Sequence, residues 1–149
     1  MQRVCIIGSL KFYKRMLDIS SMLARNGTPF SIPMPGKYRD PKYPGKYIST
    51  YPSVPFAEKL KEEGRRVFAY LERVKRSDLI YLVNPGGYVG LNTAVEISCA
   101  FENKKPIYAL DMIREAASLF LMKFINGLIS PEELVHLSLQ QQELQLVAV

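Results

Sequence analysis

Cysteine and histidine are both scarce in this chain. Cys5 and Cys99 are the only cysteines among 149 residues, and both lie within segments that read as buried. A disulfide framework is therefore not expected, and a reducing cytoplasm is the expected setting. The single histidine, His136, sits in Leu134-Val135-His136-Leu137 without the ligand spacing of a metal site, and neither cysteine has a histidine beside it. Apolar runs are also short, with Leu79 to Val83 typical. The chain passes from Met1-Gln2-Arg3 straight into a strand-like segment without a signal-peptide layout, so neither a membrane span nor export is expected.

What is present is an ordinary globular composition. Hydrophobic residues make up 48% and charged residues 23%, enough to bury a real core in one domain spanning 1–149. Twenty Lys and Arg against fourteen Asp and Glu leave a net charge of +6, a surface potential that favours anions. Charge alone does not choose between a phosphorylated small molecule and a nucleic acid.

Strand-like and helix-like segments alternate. Val4 to Ile7 is apolar and closes on Gly8-Ser9; Phe12, Met16, Ile19 and Leu23 then recur at helical spacing, and Thr28 to Ile32 reads as a second strand. From Pro33 to Pro55 periodicity gives way to Pro, Gly, Lys, Arg and Tyr, a long loop in which Lys37, Arg39, Lys42 and Lys46 alternate with Tyr38, Tyr43, Tyr47 and Tyr51. That pattern suits a lid that stacks a base, a nucleic-acid contact or a solvated loop. A charged helix follows with Phe56, Leu60, Val67, Leu71 and Val74 on one face, then a central strand at residues 78 to 83. A turn-rich segment leads to a helix with Ala94, Ile97, Ala100 and Phe101 inward, a strand over Pro106 to Leu110 and a helix over Asp111 to Phe124. Ser130-Pro131-Glu132-Glu133 has the form of a capping box opening a last helix, and residues 141–149 form a tail. This order predicts an α/β fold with a mainly parallel sheet of four or five strands, whose ligand sits beyond the strands' carboxyl ends.

Two loops meet that condition. Gly8-Ser9-Leu10-Lys11 combines a glycine, a hydroxyl, a cation and the amides of a helix start, an anion cradle if Ser9 does more than cap the helix. In the second loop Gly86, Gly87 and Gly90 permit close backbone approach, and Asn92-Thr93-Ala94-Val95-Glu96 opens a helix. Glu96 reads as lying in the first helical turn, where the helix dipole favours the ionised form that a nucleophile needs. Thr93 to Glu96 equally fits a capping box, which gives Glu96 only a helix end to satisfy.

The run Ser77 to Asn84, the glycines of 86–90, Thr93 to Glu96, Ala100 and Lys105-Pro106-Ile107, taken with Gly8-Ser9, resembles the nucleoside 2-deoxyribosyltransferase superfamily over residues 4–110. The resemblance implies a flavodoxin-like three-layer α/β/α sandwich, no cofactor, and transfer or hydrolysis at the N-glycosidic bond of a nucleoside or nucleoside 5'-monophosphate. Glu96 matches the glutamate that attacks the anomeric carbon, and Ser9 and Lys11 match the positions that hold the 5'-phosphate. Gly8 belongs to the same phosphate-holding turn, Gly86, Gly87, Tyr88, Gly90, Asn92 and Thr93 stand where sugar or base would be contacted, and homodimers or larger homo-oligomers are implied. Two features depart from the family. Its acidic aspartate on the helix before the central strand has no counterpart near Tyr70, and its first-strand aromatic is replaced near Cys5. Either Asp78 or a loop tyrosine takes over proton transfer, or the activity is altered. The remaining readings are a non-catalytic nucleotide-binding sensor, a phosphoribohydrolase of the lysine-decarboxylase-like group, echoed in Pro85-Gly86-Gly87 and Thr93 to Glu96, and, least supported, a nucleic-acid-binding module.

Overall fold

Val4–Ile7 forms β1, buried along its whole length, and its alternation sets the architecture. Val4 and Ile6 enter one core, Cys5 and Ile7 the other, as a strand covered on both faces requires. In the computed structural model, which describes residues 2–34 and 55–147 with side chains through residue 140, β1 is followed by α1 (Tyr13–Arg25), β2 (Phe30–Ser31) and α2 (Phe56–Arg76). Then come β3 (Leu79–Leu82), α3 (Leu91–Glu102), β4 (Ile107–Ala109), β5 (Gly127–Leu128) and α4 (Pro131–Val147), with short 3-10 segments at Leu10–Phe12, Pro85–Gly87 and Ala116–Phe124. The five strands lie in the order β2-β1-β3-β4-β5 and every pairing is parallel. The parallel sheet is the one that the alternation of elements predicts, and the whole is the flavodoxin-like α/β/α sandwich that the resemblance implies.

One core packs Met16, Ile19 and Leu23 of α1 and Leu134 and Val135 of α4 against Val4, Ile6, Leu79 and Tyr81. The other packs Val74 of α2, Ile97 and Ala100 of α3, and Leu121 against Cys5, Ile7, Ile80 and Leu82. Ser130 and Glu133 exchange the two bonds of the capping box. The Glu133 amide donates to Ser130 Oγ at 3.1 Å, and the Ser130 amide donates to Glu133 Oε1 at 3.3 Å. Among the described residues no helix is long and apolar enough to cross a membrane.

Several expectations change. The inward face read for α2 does not hold over its first half: Phe56 is 77% and Leu60 62% exposed, and the residues this helix buries are Glu62 and Val74. Phe101, read as inward on α3, is half exposed and stacks on Phe124. Residues 111–115 are not helical, because the chain there is bound sideways to the β3 loop rather than to itself. Asn84, fully buried, donates to the Asp111 carbonyl at 2.8 Å and accepts from its amide at 3.0 Å, while the Gly86 amide donates to Asp111 Oδ2. The basic and aromatic residues from Lys37 to Tyr51 lie outside the described residues.

Gly87 is the tightest point of that clamp. Its φ is +86°, and a Cβ there would overlap the Met112 carbonyl and the Arg114 backbone; Gly86, at φ +74°, has open space beside it. Gly86→Ala is expected to cost about 1 kcal/mol, from the left-handed backbone alone, and Gly87→Ala about 3 kcal/mol or more, from backbone overlap in addition. Denaturant midpoints for the two variants check this ordering, and equal losses would contradict it.

Candidate functional site

Beyond the carboxyl ends of β1 and β3 the chain leaves in opposite directions. After β1 it passes through Gly8 to α1 on one face, and after β3 through residues 84–90 to α3 on the other. A crevice opens where such a reversal occurs. Here it is a cavity of about 460 Å³. Gly8, Ser9 and Leu10 line it from β1, Ile32 to Met34 from β2, and Gly90 to Thr93 with Glu96 from α3. The wall opposite α3 is α2, with Glu62, Arg65, Arg66, Val67, Ala69, Tyr70 and Arg73.

Gly8 makes the crossing at β1 possible. Its φ is +152°, and a Cβ would come within 2.5 Å of the Val83 carbonyl oxygen and 2.7 Å of Met16 Cε. Ser9 then caps the 3-10 turn by accepting from the Lys11 amide at 3.4 Å while also facing the cavity. Lys11 does not join it. Its Nζ lies 3.2 Å from the centre of the Tyr88 ring, a cation–π contact, and Tyr88 in turn meets Phe12 edge-on at 6.2 Å.

Glu96 is placed differently from the sequence expectation. Gly90, extended at φ −83° and ψ 175°, is the N-cap of α3, and the Ala94 amide donates to its carbonyl. Thr93 is thus the third helical residue, already in register, and forms no capping box with Glu96. Glu96 is the sixth residue, in the second turn, where the field of the helix terminus has largely faded. Burial dominates instead. Glu96 is 8% exposed, its Oε2 has no hydrogen-bond partner among the described residues, and desolvation pushes its carboxyl up to about 8 against the opposing pull of Arg66. The carboxyl therefore favours its protonated form at neutral pH.

Deeper in, Tyr70 donates a short hydrogen bond to the Ile6 carbonyl and accepts one from Cys5 Sγ at 3.5 Å. Burial pushes the Cys5 thiol up to about 11 and the Tyr70 phenol well above its ordinary range. Both side chains stay protonated and tie the cavity floor to β1. On the nearer turns of α2, Arg66 pairs with Glu63 at 2.7 Å and Arg65 with Glu62 at 2.8 Å.

Of the residues singled out from sequence, Gly8, Ser9, Gly90, Asn92, Thr93 and Glu96 meet at the cavity, whereas Lys11, Gly86, Gly87 and Tyr88 stand outside its lining. Asp78 stands at the other end of the sheet. It precedes β3, is exposed, and its Oδ2 accepts from the Arg3 amide at 2.8 Å, so it organises the amino end of the strand. Sequence reading missed the α2 wall. The visible signal was the spacing of Glu62, Arg66 and Tyr70 at i, i+4 and i+8, which puts them in one row on the helix. Among the described residues no cluster of His, Cys, Asp and Glu is arranged to hold a metal ion.

No sequence model of a known family matches the chain, and no curated protein does. Solved structures do. A 2-deoxyribosyltransferase from the psychrotolerant bacterium Bacillus psychrosaccharolyticus superposes with a TM-score of 0.57 at 14% identity, over 89% of this chain and 90% of that one. A conserved protein from Enterococcus faecalis superposes at 0.55 with 15% identity, over 95% and 99%. At such identities the match establishes a shared fold.

Removing the Glu96 charge should stabilise the protein, with a definite pH dependence. The carboxyl's folded value of about 8 lies above its ordinary 4.5, so between those values the unfolded chain has released a proton that the folded chain retains. Stability is therefore lost as pH rises through that window. Relative to wild type, Glu96→Gln should gain on the order of 2–4 kcal/mol between about pH 5 and about pH 9. Denaturant titrations at the two pH values measure it, and a difference between the proteins that does not change with pH would refute the buried-carboxyl account.

Proposed function

We propose that this protein cleaves or exchanges the N-glycosidic bond of a nucleoside or nucleotide, with Glu96 attacking the anomeric carbon. The observation that carries the reading is the buried Glu96 carboxyl, one oxygen of which has no partner among the described residues, in the wall of a ligand-sized cavity. A structural carboxylate that deep would be expected to have its hydrogen bonds satisfied. The fold shared with a 2-deoxyribosyltransferase supports the same chemistry, as does the position of Glu96 on the helix after the glycine-containing loop.

In this reading the sugar lies between α2 and α3, and the ionised form of Glu96 is the nucleophile. Arg66 favours that form, and so does positive charge developing on the sugar as the base departs. Attack forms a glycosyl ester, which water resolves in hydrolysis and a second base resolves in transfer. Arg65, Arg66 and Arg73 around the cavity favour an anionic substrate, and Ser9 remains in place to contact a phosphate. A nucleoside 5'-monophosphate thus fits the lining better than an unphosphorylated nucleoside, although Lys11, turned onto Tyr88, is not positioned to hold the phosphate.

The test is incubation with a panel of nucleosides and 5'-monophosphates, with and without a second free base, followed by chromatographic separation. Release of free base from monophosphates is expected. Glu96→Gln should lower that release by at least about a thousandfold while the fold is retained, since a covalent nucleophile has no substitute in water. Base release by Glu96→Gln at the wild-type rate would exclude Glu96 as nucleophile.

A further inference from the structure

The clamp between the β3 loop and the chain after β4 stops short of the cavity. The Arg114 amide donates to the Gly87 carbonyl, and the first bond of α3 is that of the Ala94 amide to the Gly90 carbonyl. The stretch between, Tyr88 to Gly90, sets where α3 begins, and Gly90 caps that helix without a side-chain bond. Tyr88 is extended, at φ −78° and ψ 134°, so it and Val89 point in opposite directions. Val89 is buried in the core beside Ile97 and anchors the stretch from within.

What holds Tyr88 comes from the other loop of the crevice. Lys11 Nζ lies 3.2 Å from the centre of the Tyr88 ring and 5.1 Å from that of Phe12, while the Phe12 ring meets Tyr88 edge-on. Lys11 and Phe12 both belong to the 3-10 turn after β1, so a cation and a ring of the β1 loop grip a ring of the β3 loop. The grip reaches the helix start directly. The Tyr88 hydroxyl and ring edge lie 3.5 and 3.7 Å from where a Cβ on Gly90 would stand, which packs the ring over the residue that caps α3. On the other side the Lys11 amide donates to Ser9 Oγ, and Ser9 lines the cavity. One contact thus joins the two lips of the crevice. Because α3 is continuous from Leu91 to Glu102, a shift of its first turn moves Glu96 with it.

We propose that Lys11 and Tyr88 are positioning residues for Glu96, a clasp across the mouth of the cavity that fixes the start of α3 and with it the distance from the Glu96 carboxyl to the sugar. The proposal rests on the N-glycosidic reading above. Neither side chain lines the cavity, so both act through Gly90. Their leverage lies in the geometry of attack, where reacting atoms approach to about 3–3.5 Å and a misplacement of about 1 Å costs on the order of a hundredfold in rate. An exposed cation–π contact shifts an equilibrium about two- to fivefold and an aromatic pair about two- to tenfold, so the clasp biases the position of α3 without locking it.

The experiment compares Lys11→Met, Tyr88→Leu, the double variant and Tyr88→Phe with wild type. In NMR spectra the Tyr88 ring current should move the Lys11 ε-methylene protons upfield of ordinary lysine, and Tyr88→Leu should abolish that shift; an ordinary Lys11 signal in wild type overturns the clasp. In base-release assays Lys11→Met should lower kcat about two- to fivefold and Tyr88→Leu about five- to fiftyfold, each with KM changed less than about twofold. The double variant should be no slower than Tyr88→Leu, since both changes remove the same contact, and Tyr88→Phe, which keeps the ring, should restore kcat to within about twofold of wild type. Unchanged kcat in Tyr88→Leu, losses that multiply in the double variant, or no rescue by Tyr88→Phe overturns the positioning role. So does a rise in KM for 5'-monophosphates alone in Lys11→Met, which assigns Lys11 to the phosphate. In each of these cases base release by wild type leaves the N-glycosidic reading standing. Wild type that releases no base overturns that reading, and the positioning role with it.

Discussion

The site depends on one topological constraint: β1 and β3 are neighbours in a parallel sheet, yet the helices that follow them cover opposite faces. Two chains leaving adjacent strands in opposite directions cannot close over the strand ends, and a crevice remains. The close approach of Gly8 to the Val83 carbonyl keeps the two strand ends together at that parting. The bonds from Asn84 to the Asp111 backbone then hold the β3 loop against the end of β4, so that α3 starts at a fixed height and delivers Glu96 to the crevice from its second turn.

That placement makes Glu96 a liability to the folded state and a resource to the site. The carboxyl is removed from water without a hydrogen bond to Oε2 from any described residue, and its raised affinity for a proton reflects that burial. Among the described residues, the charge of Arg66 moderates that affinity. In the proposed N-glycosidic reading, a bound ligand that brings positive charge to the anomeric carbon would relieve that liability, which is the relation between a ground state and a transition state that catalysis requires.

Much of the frame was legible in the sequence because it rests on local rules. The alternation along Val4–Ile7, the spacing of Met16, Ile19 and Leu23, and the reciprocal bonds of Ser130 and Glu133 are each determined within a few residues. The site was less legible because it depends on what faces an element from across the fold. The first half of α2 looks amphipathic with Phe56 and Leu60 inward, but it overhangs a cavity instead of the sheet, so the polar row is the one that turns inward. The start of α3 shifted for a similar reason. A glycine without a capping side chain serves as N-cap when its backbone is held extended by the loop before it, and Thr93 looked the better cap only in isolation. Asp78 read as a reserve acid at the start of the central strand, and the length of that strand separates it from the cavity.

The contact between Tyr70 and Cys5 joins two residues far apart in sequence, a small side chain on the strand and a ring on the helix. The volume that fills this point between β1 and α2 thus comes from the helix. A ring at position 5 alone would overfill it, and a small side chain at position 70 alone would leave it hollow. The two positions are coupled in size, and a change at either is tolerated only when the other changes with it.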